Sequence, residues 1–485
     1  MKPIAVDTPW VFARAAQSPD AVAIGFANAA ITWAELAAAA QGLAAQLAGL
    51  GVQRGDLVAV RMASHPRFVV LFHALQALGA ALLPLNRRLT DHELQPILVH
   101  AAPRLLVDDE NGGDLRVGGM RRVHAFGDFH DRQAPKSFAV SSRLDASAPL
   151  SVVFTSGTTA SPKGVVLSNA NHFASARGSR LRLGHGPNDV WLAALPLFHV
   201  GGLSLLARSV LDGSSLLLEE SFDVERLVSV LETGEATMVS VVPTMLARAL
   251  DKLTAQPSPR LRAVLVGGAA LSPSLGRRGL DAGLPLAATY GMTEACSQIC
   301  TSTPRSQDAA TGHVGQPLDG TEIGINRPDA QGWGEILVRS ASVTRGYLRN
   351  PAADAVSLRD GWLRTGDRGR LDEHGALAVA GRRSDLIVTG GENVSPVEVE
   401  QVLEDHPLVR EALVMGEEDE RWGEQVVALV VRENPSPTGT AGGRDTVDLQ
   451  AWCRTKLAAY KTPREIRFVE SLPRTSNGKL VRRPS

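Results

Sequence analysis

The sequence predicts an α/β protein, with a large N-terminal region of αβ-layered sheets and a small α+β domain at its C-terminal end. Three observations carry this reading. Short apolar, β-branched runs alternate with alanine- and leucine-rich segments of helical period, the pattern of a largely parallel sheet covered on both faces. Among 485 residues, 46 Gly and 28 Pro supply frequent turns in place of long helical rods. The chain then changes character near Gly381-Arg382-Arg383-Ser384-Asp385, which divides it into a large domain, 1–383, and a small one, 384–485.

Thr32-Trp33-Ala34-Glu35 has the spacing of a capping box, so a helix is expected from there to Leu50. Residues 57–60 read as a strand, 67–78 as a helix, 80–83 as a strand and 91–100 as a helix. Residues 108–145, rich in Gly, Asp, Arg and Ser, read as a variable surface region. Strands resume at 150–154, 237–242, 263–266 and around 288–290. In the small domain, Ser395-Pro396-Val397-Glu398 predicts a second capping box. A helix over 396–404, strands at 411–415 and 426–431, a polar loop at 434–444, a helix over 448–457 and a strand at 465–469 follow. The uncharged windows 68–85 and 190–207 each contain His, Gly and Pro, and are assigned to buried core, not to membrane spans.

Lys plus Arg number 50 against 51 Asp plus Glu, a formal net charge of -1, so no general field favours nucleic acid or an acidic membrane surface. Cys296, Cys300 and Cys453 are too few for a disulfide framework, and Cys296-x3-Cys300 alone is not a zinc site. Residues 1–24 lack a signal-peptide pattern, so the expected location is the cytoplasm. Assembly into a homo-oligomer stays open.

After the strand at 150–154 comes Thr155-Ser156-Gly157-Thr158-Thr159-Ala160-Ser161-Pro162-Lys163-Gly164. Hydroxyls and glycine amides donate to phosphate oxygens, and Lys163 supplies a cation, so the segment has the chemistry of a polyphosphate cradle. It is not a Walker A loop, because Gly164 follows the lysine and Val165 comes next.

With this loop, five further motifs occur in order: Pro196-Leu197-Phe198-His199, Tyr290-Gly291-Met292-Thr293-Glu294, Arg364-Thr365-Gly366-Asp367, Gly381-Arg382 and Pro473-Arg474-Thr475-Ser476-Asn477-Gly478-Lys479. The chain therefore resembles, over essentially its whole length, the adenylate-forming superfamily of acyl-CoA synthetases, luciferases and peptide-synthetase adenylation domains. The resemblance implies a two-step reaction with ATP, Mg2+ and coenzyme A, in which a carboxylate becomes an acyl-adenylate and a thiol then displaces AMP. It implies that Glu294 and Thr158 hold Mg2+, and that Thr155, Ser156, Gly157, Thr158, Thr159 and Lys163 steady the phosphates. Gly267-Gly268-Ala269-Ala270 would line the adenine pocket with Thr289, Tyr290, Gly291, Met292 and Thr293. Asp367 would accept the ribose hydroxyls with Arg382 beside it, and Lys479 would bridge the substrate carboxylate and the α-phosphate. In such enzymes the small lobe rotates between half-reactions and presents a second face, here Thr389-Gly390-Gly391-Glu392-Asn393, whose Gly390 and Gly391 leave room for the pantetheine arm. The family hinge carries Asp or Lys two residues after the arginine, where this chain has Ser384.

His199, Gly202 and Arg208 are the expected acyl-pocket residues, with His199 as a gate. A guanidinium on an otherwise apolar helix is costly unless it meets an anion, which a dicarboxylic acid would supply. An ion pair with Asp212, one turn later, is the competing explanation. Pro196–Gly202 with Arg208, the 485-residue length and Gly381-Arg382-Arg383-Ser384-Asp385-Leu386-Ile387 resemble the family's ligases of an aromatic dicarboxylic acid. Other aryl or medium-chain acyl-CoA ligases, a loader of a separate carrier protein and a noncatalytic nucleotide binder are the alternatives.

Overall fold

A computed structural model describes residues 3–109, 120–124, 141, 143–155, 162–382, 386–433 and 443–473. The chain divides into two compact units. One comprises Met1–Asn86, Leu98–Phe154 and Gly164–Gly381, and the other Arg87–Ile97, Thr155–Lys163 and Arg382–Ser485.

The larger unit contains three sheets. Its nine-stranded sheet runs in the order Gln316–Pro317, Ser297–Thr301, Leu286–Met292, Ala263–Val266, Met238–Val241, Val190–Ala193, Ser215–Leu218, Val22–Phe26 and Ala29–Thr32. The inner pairings are parallel and both edges are antiparallel. Strands 238–241 and 263–266 are buried at every position, which explains their continuous apolar runs: each is covered on both faces. A six-stranded sheet follows the order Arg121–His124, Leu105–Asp108, Leu57–Arg61, Ala81–Pro84, Pro149–Thr155 and Lys163–Ser168. The third sheet, built on Thr321–Asn326, Gly334–Ser340 and Trp362–Leu371, is antiparallel along this run.

Local chemistry sets the helix starts. The Thr32 hydroxyl accepts from Glu35 N at 3.2 Å and the Glu35 carboxylate accepts from Thr32 N at 2.8 Å, closing the capping box in front of helix Trp33–Gly49. The two uncharged windows each become two elements: helix Pro66–Leu78 with strand Ala81–Pro84, and strand Val190–Ala193 with helix Val200–Asp212. No helix among the described residues is long and apolar enough to cross a membrane. One departure from the sequence reading lies at Arg121–His124, inside the region read as variable surface, which pairs in parallel with Leu105–Asp108.

In the smaller unit, Val409–Asp419 and Gly423–Arg432 form a long antiparallel pair, and Glu465–Phe468 adds in parallel. Helices Pro396–Glu404 and Gly443–Lys456 bury Val399, Leu403, Leu449 and Cys453 in the core shared with this sheet. The second helix begins earlier than its apolar period suggested. The predicted second capping box does not form: Ser395 is the N-cap residue but makes no side-chain cap bond. Glu398, which should have reached back to the Ser395 amide, instead accepts from Lys461 Nζ at 2.7 Å. Lys461 is buried and also lies 2.7 Å from a Glu93 carboxylate oxygen, so a buried ammonium outcompetes an exposed-type cap for this carboxylate.

Candidate active site

Three of the motif segments leave the large sheet at the same end. Strand 190–193 leads to Pro196–His199, strand 263–266 to Gly267–Ala270 and strand 286–292 to Thr293–Ala295, with strand 238–241 between the first two. Strand 190–193 is flanked on one side by 215–218 and on the other by 238–241, so the chain reverses its direction of travel across the sheet there. Carboxyl ends of parallel strands at such a reversal form a crevice, which is where open α/β sheets bind ligands.

The residues expected to bind the nucleotide are tied together by hydrogen bonds. Tyr290 donates its hydroxyl to Asp367 Oδ2 at 2.7 Å, across 77 positions of sequence, and Asp367 is buried. Thr289 donates to the Cys300 carbonyl at 2.9 Å, which holds the strand pair 286–292 and 297–301 in register. Gly267 has no room for a side chain, because a Cβ there would lie 2.5 Å from Thr289 Cγ2, and Gly268 takes φ +78°. A Cβ on Gly291 would sit 1.9 Å from the Ser297 carbonyl oxygen, so this glycine lets the hairpin close. Ala269 and Ala270 continue the same loop, and Met292 leads into the short turn Thr293–Ala295.

Glu294 lies in that turn. Tyr347 donates its hydroxyl to Glu294 Oε1 at 3.0 Å, and Thr344 N donates to the Glu294 carbonyl at 2.7 Å. Burial and the Glu294 carboxylate both push the Tyr347 hydroxyl well above its ordinary value, so it remains a protonated donor. Sequence reasoning did not find Tyr347, which belongs to none of the motifs. Its segment is held beside strand Lys163–Ser168, since Leu348 N donates to the Gly164 carbonyl at 2.7 Å and Val165 bridges Tyr347. Gly164 itself is fixed by packing: a Cβ there would lie 2.9 Å from the Phe154 ring. No group of three or more His, Cys, Asp or Glu able to hold a metal occurs among the described residues. One accessible carboxylate is nevertheless what Mg2+ uses when phosphates and water supply its other ligands, and Glu294 fits that requirement.

The residues expected on the acyl side lie on and before helix Val200–Asp212. His199 is its N-cap, with its ring centroid 4.6 Å from that of Phe198. A Cβ on Gly202 would fall 2.3 Å from the Pro196 carbonyl oxygen, so this glycine lets the helix start pack against the preceding loop. Arg208 is 1% exposed. Its Nη2 donates to Ser297 Oγ at 3.2 Å, its guanidinium lies 5.9 Å from the Trp191 ring centroid, and its Nε has no hydrogen-bond partner among the described residues. Burial pulls Arg208 down to about 10, opposed by Cys296 and Asp212, so the group is a cation at neutral pH. No ion pair joins it to Asp212 among the described residues. Asp212 instead accepts from His185 Nδ1 and from Ser214 N. Ser297, which holds Arg208, has φ +101° and follows Cys296 at φ +55°, so a strained turn aims its hydroxyl at the guanidinium.

Thr155 ends its strand and Lys163 begins the next, both half-buried. Ser156, Gly157, Thr158, Thr159, Ser384 and Lys479 lie outside the described residues, and Arg382 is placed as the last residue of strand Leu377–Arg382. In the smaller unit, Gly390 and Gly391 make the turn between strands Ile387–Thr389 and Glu392–Val394 with φ +59° and +84°. Gly390 N donates to the Trp422 carbonyl at 2.8 Å, and a Cβ on Gly390 would lie 3.0 Å from the Trp422 ring. Cys296, Cys300 and Cys453 are free and buried.

Comparison with known proteins agrees with this geometry. Residues 11–348 match the AMP-binding enzyme family and residues 398–479 the AMP-binding enzyme C-terminal domain. The 2-succinylbenzoate--CoA ligase of Listeria monocytogenes is 39% identical over 476 residues, 98% of each chain. The o-succinylbenzoate CoA synthetase of Bacillus subtilis, as a double mutant bound with its product analogue OSB-NCoA, superposes with a TM-score of 0.91 at 35% identity, covering 99% of this chain and 98% of that one. The same enzyme in complex with the acyl-adenylate intermediate OSB-AMP gives a TM-score of 0.76 at 35% identity, covering 99% and 97%. A further complex contains ATP and a magnesium ion, with a TM-score of 0.75 at 35% identity over 98% of each chain. By its matched domains, full-length relatives and shared fold, the chain belongs to the AMP-binding enzyme family.

Proposed function

We propose that this protein is an ATP-dependent, AMP-forming acid–CoA ligase that converts 2-succinylbenzoate to 2-succinylbenzoyl-CoA in the cytoplasm, as a step of menaquinone biosynthesis. The observation that carries the choice of acid is Arg208: a buried guanidinium, held by one neutral hydroxyl and with Nε unpartnered among the described residues. A cation so placed calls for an anion, and the ring carboxylate of 2-succinylbenzoate supplies one while its succinyl carboxylate reacts. The relatives that carry the same activity in their names support the reading over nearly the whole chain.

In the first step an oxygen of the succinyl carboxylate attacks the α-phosphorus of ATP, and the bond to the β-phosphate oxygen breaks, giving acyl-adenylate and pyrophosphate. Negative charge accumulates at the α-phosphate, so fixed donors and cations are the main need. Lys479 is assigned to the substrate carboxylate and α-phosphate, while Thr155–Thr159 and Lys163 are assigned to the leaving phosphates. Asp367, oriented by Tyr290, takes the ribose, and residues 267–270 flank the base. Glu294, steadied by Tyr347, would hold Mg2+ with Thr158. The ion would neutralise phosphate charge. In the second step the CoA thiolate attacks the acyl carbonyl and AMP leaves with the bonding pair. His199 gates the acyl pocket, and Gly390 and Gly391 give the pantetheine arm passage.

A carboxylic-acid panel scored for conversion of ATP to AMP, with and without CoA, tests the proposal. 2-Succinylbenzoate should give AMP slowly alone and with turnover when CoA is present. AMP formation with a monocarboxylic acid but not with 2-succinylbenzoate would overturn the choice of acid, and adenylate without CoA turnover would indicate a carrier-loading enzyme.

A further inference from the structure

Arg208 and Asp212 stand one turn apart on a single buried helix, the spacing at which opposite charges normally pair. They do not pair, and the reason lies outside the helix. His185 is wholly buried and presents Nδ1 to Asp212 Oδ2, while its Nε2 lies 3.0 Å from Ser179 Oγ. With the imidazole proton on Nδ1, the Ser179 hydroxyl donates to Nε2 and the chain Ser179–His185–Asp212 is satisfied at both ring nitrogens. The second Asp212 oxygen accepts from Ser214 N at 2.8 Å. Arg14, the other cation near Asp212, donates its Nε to the Val210 carbonyl at 2.9 Å and its Nη2 to the Leu211 carbonyl at 2.7 Å.

We infer that His185 is a positioning residue for acid selection: by engaging the Asp212 carboxylate it withholds it from Arg208 and keeps the guanidinium free for the second carboxylate of the substrate. Were Asp212 released, it would close the helical ion pair, and the incoming carboxylate would have to displace a buried internal one. The inference rests on the proposed binding of a dicarboxylic acid at Arg208.

The experiment compares 2-succinylbenzoate with 4-oxo-4-phenylbutanoate, the same acid without its ring carboxylate, in the adenylation assay of the full-length enzyme. His185→Leu should raise KM for the diacid about tenfold and leave that for the monoacid within about twofold. Adding Asp212→Asn should return the diacid KM to within about threefold of the unmodified enzyme, because the competing carboxylate is gone. A purely structural role would not be rescued by a second buried substitution. If the double variant stays as impaired as His185→Leu, or if both acids suffer alike, the inference is overturned. Asp212→Asn alone provides an independent arm, readable even if His185→Leu does not fold: its diacid KM should stay level or fall, and a tenfold rise would show that Asp212 assists Arg208. Arg208→Met separates the two levels. If that variant shows no selective loss with the diacid, the choice of acid fails. If it does while the rescue fails, only the role of His185 does.

Discussion

The residues proposed for the nucleotide and those proposed for the acyl group are built on opposite principles. On the proposed nucleotide side each described acid is met by a donor: Asp367 by Tyr290 and Glu294 by Tyr347. On the proposed acyl side a buried cation has one neutral hydrogen-bond partner among the described residues, and the acid nearest to it in sequence is engaged elsewhere. Satisfied networks hold a fixed shape for chemistry that every acid undergoes. An under-satisfied charge selects, because only one class of ligand relieves it. The first arrangement suits a reaction common to a family and the second a specificity particular to one member.

Substitutions at the two ends should therefore differ in kind as well as size. Lys479→Ala should lower AMP formation by about 10²–10³ with every acid tested, as removal of a transition-state donor does. It should leave thiol attack on supplied acyl-adenylate nearly unchanged, and equal loss of both half-reactions would place the lysine in binding instead. Next in size, Arg208→Met should cost about 2–4 kcal/mol with 2-succinylbenzoate and little with 4-oxo-4-phenylbutanoate, measured as the ratio of kcat/KM values. A loss equal for both acids would erase the contrast between the two ends. Tyr347→Phe removes one donor from Glu294 and should cost about 1 kcal/mol in kcat/KM regardless of the acid, with the magnesium titration shifted to higher concentration.

Acid pH should act on both ends together through the core that supports them. Burial pushes His73 and His172 down to about 3 from 6.5, so the unfolded chain binds protons in this interval that the native state refuses. Stability is fully present above pH 6.5 and falls as pH drops toward 3, by about 1.4 kcal/mol per unit for each histidine inside the window. Thermal unfolding from pH 7 to 4.5 should show that decline, and His73→Leu should reduce its slope. An unchanged slope would assign the acid sensitivity to other groups.

Much of the fold was legible because its signals are local. The Thr32–Glu35 box, the apolar runs of the parallel strands and the punctuating glycines each act within a few residues. What the sequence misjudged, left open or missed has the opposite property. Ser395 and Glu398 have capping-box spacing, yet Lys461 captures Glu398 from 63 positions away. Arg208 and Asp212 have ion-pair spacing, yet His185 captures Asp212 from 27 positions away. Tyr347 carries no motif at all and reaches Glu294 because the run beside Gly164 places it there.

The sequence by itself determined the order of strands and helices, the phosphate-type loop and the family likeness, since these follow from local propensity and from short motifs. Only the tertiary structure decided which charged groups meet. Partner choice among buried charges depends on which donor arrives with its own desolvation already compensated, and that is a property of distant segments brought together, not of spacing along the chain.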